Sequence, residues 1–112
     1  MAIRMTKPWS PLTTETIKKL PGQLGVYQLA NARDEIVYIG FAGGRSLFGV
    51  RSEIERALAD KTAGATQFRV EINQQYTTRY QELLMAHVAD HGDVPAGNKS
   101  GPLPRLGRLS PL

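Results

Sequence analysis

Cysteine is absent from the chain, and so is any long apolar run. Without a thiol the protein cannot form a disulfide, a thiolate metal site or a cysteine nucleophile, and it suits a reducing compartment. No stretch approaches the length of a membrane-spanning helix, and the first residues, MAIRMTKPWS, lack the apolar segment of a signal peptide. We therefore expect a cytoplasmic protein that has no disulfide partner.

The charge of the chain is modest and unevenly placed. The 112 residues carry a formal net charge of +4, and beyond Val94 the basic residues Lys99, Arg105 and Arg108 occur without any acidic residue. A basic tail can bind phosphate by releasing counterions, but it also occurs as a simple solubility feature. At this length we expect one domain over residues 1–94, followed by a basic, Pro- and Gly-rich tail over residues 95–112.

The periodicity of apolar residues predicts an α+β fold. Helical spacing and alternating strand patterns follow each other along the chain, with Gly and Pro between them. Helices are predicted over residues 10–20, 47–60 and 78–91, and strands over residues 24–30, 35–41 and 67–73. This order predicts a small three-stranded antiparallel sheet packed by helices.

The first two strands carry tyrosines close to glycines, in the stretch LGVYQLANARDEIVYIGF. If NARD forms a four-residue turn, Tyr27 lies opposite Tyr38 and Gly25 lies opposite Gly40, all on one face of the hairpin. Glycine within a strand often marks a place where another group approaches the backbone closely. The pattern therefore indicates either a site floored by glycine or an ordinary aromatic pair beside two bulges.

The motifs GVY and YIG, in that order on a hairpin, resemble those of the GIY-YIG nuclease family. Three further stretches extend the resemblance from about Gly22 to Asn98. They are an arginine-bearing helix (SLFGVRSEI), a glutamate on a later helix (RYQELLMAHVADHG) and an asparagine that follows a proline (VPAGN).

This resemblance implies a metal-dependent endonuclease that hydrolyses DNA phosphodiester bonds with one Mg²⁺ (or Mn²⁺) ion. It assigns one of the motif tyrosines as the general base, for which we favour Tyr27 with Tyr38 in support, and Arg51 as the cation on the scissile phosphate. It makes Glu82 the metal ligand, a role that suits Mg²⁺ because that ion takes few carboxylates. Asn98 would tie the segment after the last helix to the site, and Gly25 and Gly40 would form the site's floor.

Several residues allow other interpretations. Arg51 can pair with Glu55 on the helix surface, Glu82 can be an exposed residue beside Arg79, and Arg45 in the glycine-rich link can also reach a phosphate. His87 and His91 have metal-like spacing on a helix, but a third ligand is not apparent and His91 also suits a helix C-terminus.

The chain also departs from the family pattern. Phe41 stands where a basic residue commonly follows the YIG motif, and the loop between Tyr38 and Arg51 is longer than usual. An alternative function is therefore a non-catalytic GIY-YIG-like module that binds nucleic acid or a protein partner.

Overall fold

The computed structural model describes residues 4–44 and 46–99, which form an α+β domain with a four-stranded antiparallel sheet and three helices. The strands lie in the order β1-β4-β2-β3 across the sheet. The elements are β1 (Ser10–Pro11), α1 (Thr14–Ile17), β2 (Gly25–Ala30), β3 (Ile36–Ala42), α2 (Gly49–Asp60), β4 (Gln67–Ile72) and α3 (Tyr76–His91), with 3₁₀ turns at Thr62–Gly64 and Ala96–Asn98.

The central hairpin is buried on both faces, which explains its content of Val, Ile, Leu and Tyr. Every residue of β2 is buried. One face packs against α1 and α2, around Tyr27, Leu29 and Ile54. The other face packs against α3, around Val26 and Ile39, so the sheet lies between two layers of helix.

The α+β class is confirmed, but the prediction of three strands is wrong. Ser10 and Pro11 form a short strand, β1, at the edge of the sheet, where they pair with Phe68 and Gln67 of β4. The predicted helix over residues 10–20 therefore shortens to α1, and Thr13 caps it through reciprocal hydrogen bonds with Thr16. Proline, which lacks an N–H, is tolerated in an edge strand, so the Pro11 that was expected to begin a helix can end β1 instead.

The hairpin register differs by two residues from the predicted one. Tyr27 pairs with Gly40 rather than with Tyr38, and Tyr38 pairs with Leu29. The turn closes through the side chain of Asn31, which accepts hydrogen bonds from the backbone of Arg33 and Glu35, and a bulge follows at the Leu29/Ala30 step. Because a shift of two residues preserves the strand faces, both tyrosines still lie on the same face.

The chain after α3 packs back onto β3. Pro95 and Asn98 are buried, although both belong to the stretch expected to be a tail. The Asn98 side chain accepts a hydrogen bond from the Ile39 N–H (2.9 Å) and donates one to the Ile39 carbonyl (2.8 Å). These two bonds cover part of the open edge of β3, as another strand would. The rest of the predicted tail, from residue 100, lies outside the described residues.

Within residues 4–44 and 46–99, none of the helices combines the length and the apolar content that crossing a membrane requires.

Asn98→Ala should destabilise the fold by about 2 kcal/mol, because it removes two hydrogen bonds and leaves the Ile39 backbone groups without partners. Chemical denaturation measures the change, and Lys99→Ala, an exposed neighbour, is the control that should be close to neutral. Equal stabilities of the Asn98 variant and the wild type would contradict this role for Asn98.

Candidate functional site

All four tyrosines of the chain line one cavity of about 470 Å³ at the β3 edge of the sheet. The cavity wraps around this edge strand, so that residues from both faces of the sheet reach it. Its lining consists of Tyr27, Tyr38, Gly40, Phe41, Gly43, Gly44, Ser46, Glu53, Tyr76 and Tyr80. We call this space the tyrosine cavity.

Two glycines provide room for two of the tyrosine rings. The Tyr27 ring lies across Gly40, where a Cβ atom would overlap its Cζ, hydroxyl and Cε1 atoms. At Gly43 a Cβ atom would lie 3.1 Å from the Tyr76 ring. Gly25 has a different role, because a Cβ atom there would overlap the backbone carbonyl of Glu71 in the neighbouring strand β4. The missing side chain of Gly40 thus makes room for a ring of the cavity, whereas that of Gly25 allows β2 and β4 to approach closely.

The aromatic rings form two contacting groups. The Tyr27 and Tyr38 ring centroids are 6.0 Å apart on the α2 face. On the α3 face, Phe41 stacks on Tyr76 at 5.5 Å with an interplanar angle of 19°, and meets Tyr80 edge-on at 4.9 Å. Phe41 remains 41% exposed despite these contacts. The cavity therefore offers a flat aromatic surface at its mouth.

Glu53 of α2 supplies the carboxylate among the described residues that line the tyrosine cavity. Its Oε2 accepts a hydrogen bond from the Ser46 hydroxyl (3.0 Å) and from Arg56 Nη2 (2.6 Å). Arg56 also lines a second, smaller cavity that shares Tyr27, Tyr38 and Glu53 with the first. The negative charge of Glu53 is therefore balanced locally by a guanidinium that reaches solvent.

Tyr27 is held as a neutral phenol. Its side chain is 5% exposed, and this burial, together with Tyr38 and Glu53 nearby, raises the pKa of Tyr27 well above its ordinary value. Arg56 acts in the opposite direction, with a smaller effect. In this environment the Tyr27 hydroxyl is suited to hydrogen bonding and poorly suited to losing its proton at neutral pH.

Arg51 lies on another side of α2 from the tyrosine cavity. It borders a separate cavity against α1, with Thr14, Lys18 and Glu55 among its neighbours. The reason is helical geometry: Arg51 and Glu53 are two residues apart, which places them about 200° apart around the helix axis. When Glu53 faces the tyrosines, Arg51 faces away from them.

Glu82 also lies outside the tyrosine cavity. It is an i,i+3 neighbour of Arg79, with 3.4 Å between its Oε1 and Arg79 Nη1, and Arg79 in turn binds Glu71 of β4. Burial works against ionisation of Glu71, but its hydrogen bonds with Arg79 lower its pKa overall. This cluster joins α3 to β4, whereas the tyrosine cavity lies at β3, on the other side of β2.

Glu82 is not among the residues that line the tyrosine cavity. The carboxylate that does face the tyrosines, Glu53, is already engaged by Ser46 and Arg56. The assignment of Glu82 as a ligand of Mg²⁺ or Mn²⁺ stays a prediction. Among the other expected site residues, Asn98 docks on Ile39 between Tyr38 and Gly40, and Arg45 lies outside the described residues.

The sequence patterns missed Glu53, Arg56, Phe41 and Tyr76 as members of the site. The i,i+4 spacing of Tyr76 and Tyr80 is a signal that could have placed both on one face of α3. By contrast, Glu53 and Arg56 lie beside the tyrosines because of the rotation of α2 about its axis. That rotation depends on how the buried residues Val50 and Ile54 pack in the core, which sequence patterns do not reveal.

The chain belongs to a protein family whose function is not defined. The model of the family described as a domain of unknown function (DUF7508) matches residues 3–90, most of the chain. No curated protein matches the sequence.

Gly40→Ala should cost about 1–3 kcal/mol of stability, because the added methyl group overlaps the Tyr27 ring. Gly44→Ala is the matched control, since no atom lies within 4 Å of the corresponding Cβ, and it should be close to neutral. In a Tyr27→Leu background, which lacks the overlapping ring atoms, Gly40→Ala should lose most of its effect. An undiminished cost in that background, measured by denaturation, would contradict the contact.

Raising the pH should destabilise the wild type more than it destabilises Tyr27→Phe. The raised pKa means that folded Tyr27 keeps its proton above about pH 10, where an unfolded tyrosine loses it. The stability that this difference supplies is present below pH 10 and declines above it. Urea unfolding at neutral pH and near pH 11 measures the difference, and parallel declines in the two proteins would contradict it.

Proposed function

We propose that this protein is a GIY-YIG-like module that binds single-stranded DNA in the tyrosine cavity without cleaving it through Arg51 and Glu82. The observation that carries the proposal is the convergence of all four tyrosines and Phe41 on one cavity at the edge of the sheet.

The aromatic lining suits unpaired bases. Single-stranded nucleic acids are commonly bound by stacking bases on aromatic side chains, which tolerates any base because each has a π-face. Phe41 is partly exposed and already stacked on Tyr76, so a base placed against Phe41 would extend an existing stack. A base pair within a duplex offers no free face of this kind, which favours single strands over duplex.

Backbone and charged groups beside the cavity support the same occupant. The N–H and carbonyl of Ile39 point away from β2 and bind Asn98. The backbone groups of residues two apart on a strand point in the same direction. The backbone of Phe41 is therefore directed toward the open edge, where it can hydrogen-bond a base. Arg56, at the side of the cavity, is exposed and can contact a phosphate, although Glu53 shares its charge.

The positions of the expected catalytic residues support binding rather than hydrolysis. Hydrolysis of a phosphodiester needs charge stabilisation at the phosphate and an activated water. Arg51 and Glu82 lie away from the tyrosines, and burial makes Tyr27 a weaker acid. Most of the described residues that line the tyrosine cavity provide aromatic rings or hydrogen-bonding groups, which favours binding.

Fluorescence anisotropy with a labelled oligothymidylate of about 12 nucleotides tests the proposal, with a duplex of equal length for comparison. Phe41→Ala and Tyr76→Ala should each weaken binding roughly tenfold, consistent with loss of one stacking contact. Phe48→Ala is the matched control, because Phe48 is exposed but does not line the cavity. Absence of binding at low salt, or equal losses for the Phe48 variant, would overturn the proposal.

DNA cleavage is a second candidate function, and one observation favours it. Tyr27 and Tyr38 have a carboxylate, Glu53, and a cation, Arg56, beside them, although these are different residues from the expected pair. In this version Arg56 would bind the phosphate and the phenols would hydrogen-bond its oxygens. The family resemblance then holds in chemistry but with other residues in the roles of Arg51 and Glu82.

Nicking of supercoiled plasmid separates the two candidates. The reactions contain Mg²⁺, Mn²⁺ or EDTA, and compare the wild type with Glu53→Gln, Glu82→Gln and Tyr27→Phe. The binding proposal predicts no metal-dependent nicking by any of them. Nicking that Glu53→Gln abolishes and Glu82→Gln preserves would establish cleavage with the substituted residues. Loss of nicking in Glu82→Gln instead would return Glu82 to its expected role.

A further inference from the structure

The face of the sheet that packs on α3 holds a second cavity, of about 410 Å³, which the proposed function does not use. It lies between the N-terminal segment, β2, β4 and the C-terminal half of α3. Its apolar lining includes Met5, Ile36 and Leu83, and its polar lining includes Gln28, Arg69 and His87. We call it the rear cavity.

Arg69 brings a positive charge that has no carboxylate partner among the described residues. Its Nε donates to the Gln28 side-chain oxygen (2.7 Å) and its Nη1 donates to the Lys7 backbone carbonyl (3.0 Å). Its guanidinium lies 4.0 Å from the centroid of the Trp9 ring. These contacts hold the guanidinium in place without neutralising it, and its second terminal nitrogen has no hydrogen-bond acceptor within the part of the chain that the structure describes.

Gln28 supplies a second donor next to Arg69. The two residues are directly opposed on β2 and β4, and Gln28 is 3% exposed. Its side-chain oxygen is used by Arg69, whereas its amide nitrogen has no acceptor among residues 4–44 and 46–99. No buried side-chain nitrogen or oxygen of the described residues lacks a partner, so this nitrogen is accessible, and Gln28 lines the rear cavity. Arg69 and Gln28 together therefore present donors to the rear cavity.

The remaining charged groups of the rear cavity do not cancel Arg69. Asp90 is bound by Arg4 through two hydrogen bonds of 2.6 and 2.7 Å, so this pair is neutral as a unit. His87 and His91 also line the cavity, with ring centroids 4.4 Å apart. Nδ1 of His87 donates to the Asp93 carbonyl (2.8 Å), which leaves Nε2 as its second polar atom. The cavity thus favours negative charge.

We propose that the rear cavity binds a small organic anion, a carboxylate on a short apolar chain. Arg69 and the Gln28 amide would bind the carboxylate, and Met5, Ile36, Leu83 and Ala86 would contact the apolar chain. A carboxylate accepts from two adjacent donors in the way that the opposed Arg69 and Gln28 present them. This site shares no lining residue with the tyrosine cavity, so the proposal does not depend on the proposed function.

Anion binding should be coupled to the protonation of His87. Burial, followed by the proximity of His91, lowers the pKa of His87, while the Asp93 carbonyl, Asp90 and Asp93 act in the opposite direction. A bound anion favours the charged imidazole, so it raises this pKa and is itself bound more tightly at lower pH. The charged and titratable groups that bear on His87 are Arg4, Arg69, Asp90, His91 and Asp93.

NMR titration with hexanoate tests the proposal, since the chain has only two histidines and their imidazole signals report directly on the rear cavity. Hexanoate should shift both signals and raise the pKa of His87, with tighter binding near pH 6 than near pH 8. Hexanol, which lacks the charge, and inorganic phosphate, which lacks the chain, should bind at least about tenfold more weakly.

Variants separate binding from folding. Arg69→Gln should weaken hexanoate binding about tenfold or more, whereas Arg33→Gln, in the exposed hairpin turn, should leave it unchanged. His87→Gln keeps an amide donor for the Asp93 carbonyl and should remove the pH dependence, because it removes the titrating group. Unshifted histidine signals at saturating hexanoate would overturn the proposal, as would equal affinities for hexanoate and hexanol. Equal affinities for hexanoate and phosphate would overturn the assignment of an organic anion.

Discussion

The ring of Tyr27 lies across Gly40, and the arrangement of the edge strand depends on this contact. Only glycine at that position lets a phenol lie against the β3 backbone, under α2. The contact buries the hydroxyl, which raises the pKa of Tyr27 and keeps it neutral. It also brings the Tyr27 ring to 6.0 Å from that of Tyr38, centroid to centroid. A cavity lined by rings, rather than an ordinary packed hairpin, results from this glycine.

Asn98 covers the edge strand β3 at Ile39 and leaves the edge beyond Ile39, at Phe41, without this cover. The Asn98 amide binds both backbone groups of Ile39, which blocks further strand pairing there. Phe41 lies two residues further along the same edge, where its ring contacts those of Tyr76 and Tyr80. The domain therefore protects half of its edge with a side-chain amide and leaves the other half available to a ligand.

The sequence predicted the elements better than their relation to one another. Alternation and helical spacing placed β2, β3, β4 and α2 closely, because these patterns record which residues face the core. The hairpin register was missed because it depends on the Asn31 side chain and on a bulge, which alternation does not reveal. Arg51 and Glu82 were expected near Tyr27 on motif order alone. Their placement depends on the rotation of α2 and α3, which tertiary packing determines.

Chemical-shift mapping on the folded protein tests the central claim, which is that ligands enter at the β3 edge. Titration with unlabelled oligothymidylate should move the backbone amide signals of Gly40, Phe41, Gly43 and Gly44, with smaller changes around Arg51 and Glu82. That pattern would place the bound strand over the tyrosine cavity. Changes confined to the α2 surface near Arg51, or to the cluster of Glu71, Arg79 and Glu82, would contradict the account.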